Sequence, residues 1–144
     1  MVANQSATHD IVARLANAIG RENVITDAAD REFYAMDVYS FRELPIAVVQ
    51  PGSLKDMVEI SRIVAEAGIA VVPRGGGASY TDAYLPDTAN SVLVDTSRMN
   101  RILEINADDM YVTVEPGITW AEMTAALTAR PAATNSLPTV ALEA

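Results

Sequence analysis

The chemistry this chain can do is concentrated in Val71-Val72-Pro73-Arg74-Gly75-Gly76-Gly77-Ala78-Ser79. A β-branched run there ends in a proline, an arginine, three glycines and, after one alanine, a hydroxyl. Residues without a Cβ reach φ > 0 readily, so three in a row let neighbouring N–H groups point into one concavity. A nest of that kind at the end of a strand suits a phosphate or a diphosphate. Arg74 adds a permanent charge in fork geometry, and Ser79 adds a hydroxyl donor. No Gly-Lys-Ser/Thr follows, so this is not a Walker loop. Tyr80 to Pro86 lacks the helical pattern that should follow a G-x-G-x-x-G fingerprint. The plain alternative is a flexible connection that binds nothing.

Elsewhere the inventory is sparse. There is no cysteine, which removes disulfides, thiolate metal sites and a cysteine nucleophile. The single histidine, His9, stands near the N-terminus, far in sequence from the glycines, and reads as solvated. No residue is assigned a catalytic or metal-binding role. The net charge of −9 and the isoelectric point near 4.4 argue against nucleic acid or an anionic membrane surface as partner. With 50% apolar residues and a mean hydropathy of +0.15, the 144-residue chain should fold around a real core. No apolar run approaches the roughly 18 residues that span a bilayer. Met1 to Asp10 lacks the layout of a signal peptide. These features fit a soluble, cytoplasmic protein.

The elements that must position the glycines follow from periodicity. Thr8 or Asp10 caps a first helix carrying Ile11, Leu15 and Ile19 on one face, and Gly20 stops it. A short second helix runs from about Asp27 to Tyr34. Ile46-Ala47-Val48-Val49 is a continuous apolar run turned by Pro51-Gly52. Ser53 with Asp56 opens a helix as a capping box, with Leu54, Met57, Val58, Val64 and Ala67 as its buried stripe and Gly68 at its end. Ile69 to Val72 is the next apolar run. Strand, helix, strand over this length is a βαβ unit, so the glycines leave the carboxyl end of a parallel strand, where open α/β sheets bind ligands.

After the loop, Val92 to Asp95 and Arg101 to Ile105 read as strands. Met110 to Glu115 alternates with Met110, Val112 and Val114 inward, and it pairs with Ile102 to Ile105 as a hairpin. Pro116-Gly117 breaks that strand. Thr119 and Glu122 make a second capping box, ahead of a helix face shared by Trp120, Met123 and Leu127. The expected fold is α/β, a small mixed sheet combining the parallel pair with the antiparallel hairpin. It divides into an N-terminal helical segment (1–45), a central unit (46–129) and a weakly ordered tail (130–144).

The stretch from Val48 to Leu127 resembles the first half of the FAD-binding domain of the p-cresol methylhydroxylase and vanillyl-alcohol oxidase type. Within that group it is most similar to flavoenzymes that oxidise D-lactate, glycolate and other 2-hydroxy acids. Five segments carry the resemblance, in matching order and spacing. They are Val49-Gln50-Pro51, Pro73-Arg74-Gly75-Gly76-Gly77, Leu85-Pro86, the run from Val94-Asp95 through Ser97-Arg98-Met99-Asn100 to Arg101-Ile102, and the run from Val114 to Trp120.

The resemblance implies that Arg74, Gly75, Gly76, Gly77, Ala78 and Ser79 cradle the FAD diphosphate, and that Pro116 and Gly117 line the cofactor. Asp95 and the Ser97–Asn100 segment are read as structural, Trp120 and Met123 as core. Some relatives tether the flavin through a histidine directly after the glycines. Ala78 stands there instead, which implies non-covalent FAD. The family's domain continues for about as long again and a substrate domain follows, so the base and substrate clamps would lie outside this chain.

Two further readings stand beside the oxidoreductase, in which a small-molecule substrate passes a hydride to the flavin. One is a non-catalytic flavin module whose exposed apolar face is covered by a partner chain. The other is a phosphate-ligand protein without flavin, which a visible absorbance scan separates from the rest.

Overall fold

The computed structural model describes residues 2–77, 81–129 and 139–140. In chain order the elements are α1 (Val2–Ile19), a 3-10 turn (Arg21–Asn23), β1 (Val24–Ile25), α2 (Ala28–Tyr34), β2 (Ala47–Val49), α3 (Leu54–Glu66), β3 (Ala70–Arg74), β4 (Ser91–Asp95), β5 (Ile102–Asn106), β6 (Tyr111–Val114), α4 (Trp120–Thr128) and β7 (Thr139–Val140). They form a mixed α/β fold, as expected.

The strands make two sheets rather than the single one expected. The first has the order β1-β2-β4-β3, with β4 parallel to both of its neighbours and β1 antiparallel to β2. The βαβ unit is present, but β2 and β3 do not pair, because β4 lies between them. The second sheet is the β5–β6 hairpin, with β7 added in parallel to β6. Proline and glycine at 116 and 117 turn the chain away directly after the hairpin. The tail that was read as weakly ordered lies outside the described residues except for Thr139 and Val140, which pair with Tyr111 and Val112.

The core of the first sheet follows from its strand composition. Ala47 to Val49 and Val92 to Val94 are covered on both faces, which is the environment that continuous apolar parallel strands require. Ala47, Val49, Val92 and Val94 meet Ile11, Leu15 and Ile19 of α1 and Ile60, Ile63 and Val64 of α3 in one cluster. The helix α1 thus buries the stripe read from the sequence. It begins earlier, at Val2, so neither Thr8 nor Asp10 caps it. Asp27 does cap α2, accepting from the N–H groups of Ala29 and Asp30. Between those helices runs β1, a two-residue strand too short to show a period.

The buried face of α3 differs from the expected one. Ile60, Ile63 and Val64 are buried and Met57 packs against them, whereas Leu54 and Val58 are 73% and 57% exposed and Ala67 is exposed as well. Leu54 and Val58, four residues apart, share a face, and the two-residue step from Val58 to Ile60 crosses to the other side of the helix. The Ser53 Oγ accepts from Asp56 N at 3.2 Å, but the Asp56 carboxylate reaches back to Gly52 N instead of closing the box on Ser53. In α4 the box between Thr119 and Glu122 is complete. Met123 is buried and Leu127 packs on the hairpin's Val112 and Val114, while Trp120 is 70% exposed and is not core. Met110 is also exposed. It sits at φ 58° in the turn before β6 and so falls outside the alternation.

Two truncations discriminate between the faces of α3. Ile60→Ala should cost about 2–5 kcal/mol in chemical denaturation. Leu54→Ala should stay within about 0.5 kcal/mol of the parent. Equal losses would contradict this packing.

Candidate functional site

The three parallel strands end side by side, and each delivers a polar group. Asp95, the last residue of β4, is 5% exposed. Its Oδ2 accepts from the Tyr34 hydroxyl at 3.0 Å and from Gln50 Nε2 at 2.8 Å, and its Oδ1 accepts from Ser97 N at 3.0 Å. A buried carboxylate with three donors is satisfied, in keeping with the structural reading of Asp95. The Tyr34 phenol is held above its ordinary pKa, first by burial and then by the negative charge of Asp95, so it keeps the proton it donates. From the adjoining segment, Arg98 Nη1 donates to the Gln50 carbonyl at 2.7 Å.

The glycine segment leaves β3 beside this network. Arg74 is the last residue of the strand, and its carbonyl accepts from Thr96 N at 2.9 Å. Of the three glycines only Gly77 has positive φ, 66°. The expected run of left-handed residues is therefore a single one.

Each glycine faces a different neighbour. A Cβ on Gly75 would stand 3.5 Å from the Pro116 carbonyl oxygen, which places the two predicted segments side by side. A Cβ on Gly77 would lie 2.6 Å from Arg74 Nη2. A Cβ on Gly76 would meet nothing within 4 Å among the described residues. Ala78 and Ser79 lie outside the described residues.

Pro116 and Gly117 are held by the backbone. Gly117 N donates to the Met99 carbonyl at 2.8 Å, and a Cβ on Gly117 would fall 1.8 Å from the Thr96 carbonyl oxygen. Only glycine permits that approach. Just before the turn, Glu115 is buried and bound by Arg101 through Nε at 3.0 Å, Nη2 at 2.5 Å and the backbone N at 2.9 Å. These donors hold its carboxyl below the usual glutamate range, the Arg101 side chain foremost.

Sequence reasoning missed the surroundings of Arg74. Its guanidinium lies over two aromatic rings, with Cζ 5.3 Å from the ring centre of Tyr34 and 4.6 Å from that of Tyr84. Neither tyrosine has a spacing that points to Arg74. Only Gln50 and Asp95, inside segments already singled out, carried any signal.

A separate groove of about 680 Å³ lies at the amino ends of β2 and β4 and includes His9, Arg21, Arg31 and Ile46 in its lining. It is remote from the glycine segment. Among the described residues no helix is long and apolar enough to cross a membrane, and no group of acidic or histidine side chains could hold a metal ion.

An open α/β sheet whose parallel strands end at a glycine turn defines the class of this domain. The chain belongs to the FAD binding domain family, whose profile matches residues 45–139. That bears out the resemblance read from the five segments. The glycolate oxidase subunit GlcD of Bacillus subtilis is 31% identical over 117 residues, covering 81% of this chain and 25% of that protein. D-2-hydroxyglutarate dehydrogenase of Pseudomonas putida is 32% identical over 130 residues, covering 88% of this chain and 13% of that protein. Among solved structures, p-cresol methylhydroxylase with substrate bound superposes with a TM-score of 0.78 at 22% identity, over 86% of this chain and 25% of that one. The 4-ethylphenol oxidase from Gulosibacter chungangensis gives 0.73 at 29% identity, over 85% and 24%. The chain thus spans about a quarter or less of the length of these proteins.

The Arg101–Glu115 pair makes a pH-dependent contribution to stability. With its folded pKa lowered, Glu115 stabilises the fold above its unfolded value of about 4.3 and loses that contribution as pH falls through the lowered value. Glu115→Gln should melt below the parent near pH 7, and the gap should close in melts well below about pH 4. A constant gap across that range would refute the assignment.

Proposed function

We propose that this chain supplies the diphosphate cradle of a flavoenzyme, an FAD-dependent oxidoreductase acting on a 2-hydroxy acid or related alcohol. The observation that carries the reading is the position of Gly76. It sits at the carboxyl end of a parallel strand, flanked by Arg74 and by Gly75 against Pro116, with no described residue within 4 Å of where its side chain would start. The residues present fit a diphosphate. Backbone N–H groups of Gly75 to Gly77 can donate to its oxygens, and Arg74 adds charge, with Ala78, Ser79, Pro116 and Gly117 completing the cofactor-binding set.

When bound, FAD supplies the hydride acceptor. The chain's own part is to hold and orient, and its residues take no catalytic role. With Ala78 where a tether would be needed, FAD is held non-covalently. The unit over 46–129 carries the cradle, and the segment over 1–45 covers its sheet. The 144 residues alone bind FAD weakly and do not turn over. We place the protein in the cytoplasm.

A second reading, a flavin module completed by a partner chain, is favoured by one observation. Phe33, Val38 and Phe41 are 63%, 78% and 60% exposed on and just after α2, the helix that ends at Tyr34 beside Arg74. A covering chain would bury such exposed apolar side chains.

The cradle is tested in the protein purified from its source organism, with whatever polypeptide accompanies this chain. Gly76→Val should fold with the parental far-ultraviolet circular dichroism, since the new side chain meets no described residue, yet carry less than about a tenth of the parental flavin by absorbance. Full occupancy would overturn the cradle. Acid precipitation of the parent should release flavin into the supernatant. A yellow pellet would overturn the non-covalent assignment.

A further inference from the structure

Arg74 touches three separated pieces of the chain. Its guanidinium lies over the rings of Tyr34 and Tyr84, its Nη1 donates to the Tyr34 carbonyl at 3.4 Å, and its Nη2 occupies the space a Gly77 side chain would take. Both rings are themselves fixed. Tyr34 closes α2 and is pinned by its hydroxyl to buried Asp95, which Gln50 also holds. Tyr84 is 7% exposed. Its segment is tied down by Leu85 N on the Asp82 carbonyl at 2.9 Å, and by Ser40 and Arg42 on the Asp82 carboxylate at 3.1 and 3.0 Å.

Arg14, Arg42, Arg62 and Arg101 each pair with a carboxylate, whereas Arg74 has no carboxylate partner among the described residues. An aromatic ring engages the face of a guanidinium and leaves its N–H edges able to donate. A cation held this way keeps both its charge and its donors for an anion.

We propose that Tyr34 and Tyr84 are positioning residues that hold Arg74 by cation–π contact, and that the held guanidinium sets Gly75–Gly77 in the conformation that receives the FAD diphosphate. The second half rests on the cradle reading above. The first half stands on the contacts of the chain itself. Tyr84, with the shorter approach, carries the larger share. A guanidinium packed on Gly77 also gives that glycine a second reason to lack a Cβ, beyond its left-handed φ.

The test uses the 144-residue chain in solution by NMR. Backbone order parameters of Gly75 to Gly77 report on the loop, and ring-current shifts of the Arg74 side-chain protons report on the clamp. Titrations with FAD and with inorganic pyrophosphate, followed through the same amides, report binding down to weak affinities. In the parent the three amides should approach the rigid-backbone value of about 0.85, and in Tyr84→Leu they should fall towards about 0.6. The FAD dissociation constant should rise roughly 2- to 30-fold. Tyr84→Phe should restore both, because the ring face is kept. In an Arg74→Met background, Tyr84→Leu should add no further change, which a purely structural role of the ring would not produce.

Unchanged order parameters in Tyr84→Leu, or additive effects in the double variant, would overturn the clamp. If Tyr84→Leu fails to fold, Tyr84→Phe against Tyr84→His decides by the same readouts, since loss in Phe as large as in His excludes the ring face. Loop rigidity that depends on the tyrosines, with no shift from FAD or pyrophosphate, would support the clamp while overturning the cradle for this chain.

Discussion

The arrangement of the site depends on one backbone contact, the seating of Gly117 against the carbonyl of Thr96. A methyl group there would have to share the space of the carbonyl oxygen, 1.8 Å away. Thr96 also donates to the carbonyl of Arg74, and Met99 accepts from Gly117. Four hydrogen-bonded residues thus tie the end of β3, the exit from β4 and the exit from β6 together. The two sheets share no strand, so this junction sets how close Gly75 comes to Pro116.

Burial and charge divide the rest of the work. The first sheet is buried on both faces along β2 and β4, which fixes where the strands end. Two buried carboxylates stand beside strand ends, Asp95 in the first sheet and Glu115 after β6, and both are matched. Asp95 takes three donors, and Glu115 takes the fork and backbone of Arg101. An unmatched carboxylate at either place would carry a desolvation penalty large enough to disturb the turn beside it. The acidic excess of the chain is otherwise spread over its surface, leaving Arg74 as a local positive spot beside the glycines.

Much of this was legible in the sequence, for identifiable reasons. Glycine, proline and capping residues act locally, so the ends of α3 and α4, the hairpin and the turn at Pro116-Gly117 could all be placed from their own residues. The fold family was legible because five segments kept their order. What failed depended on partners distant in sequence. Apolar residues lie on two sides of α3, and only the docking of α1 chooses Ile60 and Ile63 over Leu54 and Val58. Trp120 looked like core by type, yet it begins its helix on the side away from the hairpin. The place of β4 between β2 and β3 leaves no local trace. Nor does the meeting of Tyr34, Arg74 and Tyr84, three residues brought together only by the closed fold.

The strand order has a consequence for assembly in time. Among the described residues β3 is an edge strand whose one neighbour in the sheet is β4, and β4 comes later in the chain. As the polypeptide emerges, α1, α2 and α3 can form from local signals, and β1 can pair with β2. The strand that carries the glycines then waits without a hydrogen-bonded neighbour until Ser91 to Asp95 has been made and has inserted beside it. Parallel pairing of strands separated in sequence is slow compared with helix formation from local contacts. A nascent chain halted before Asp95 therefore holds most of its helices and an unpaired β3 edge, the kind of edge that invites wrong pairing. The strand that leads into the glycines is thus completed only after β4 has been made.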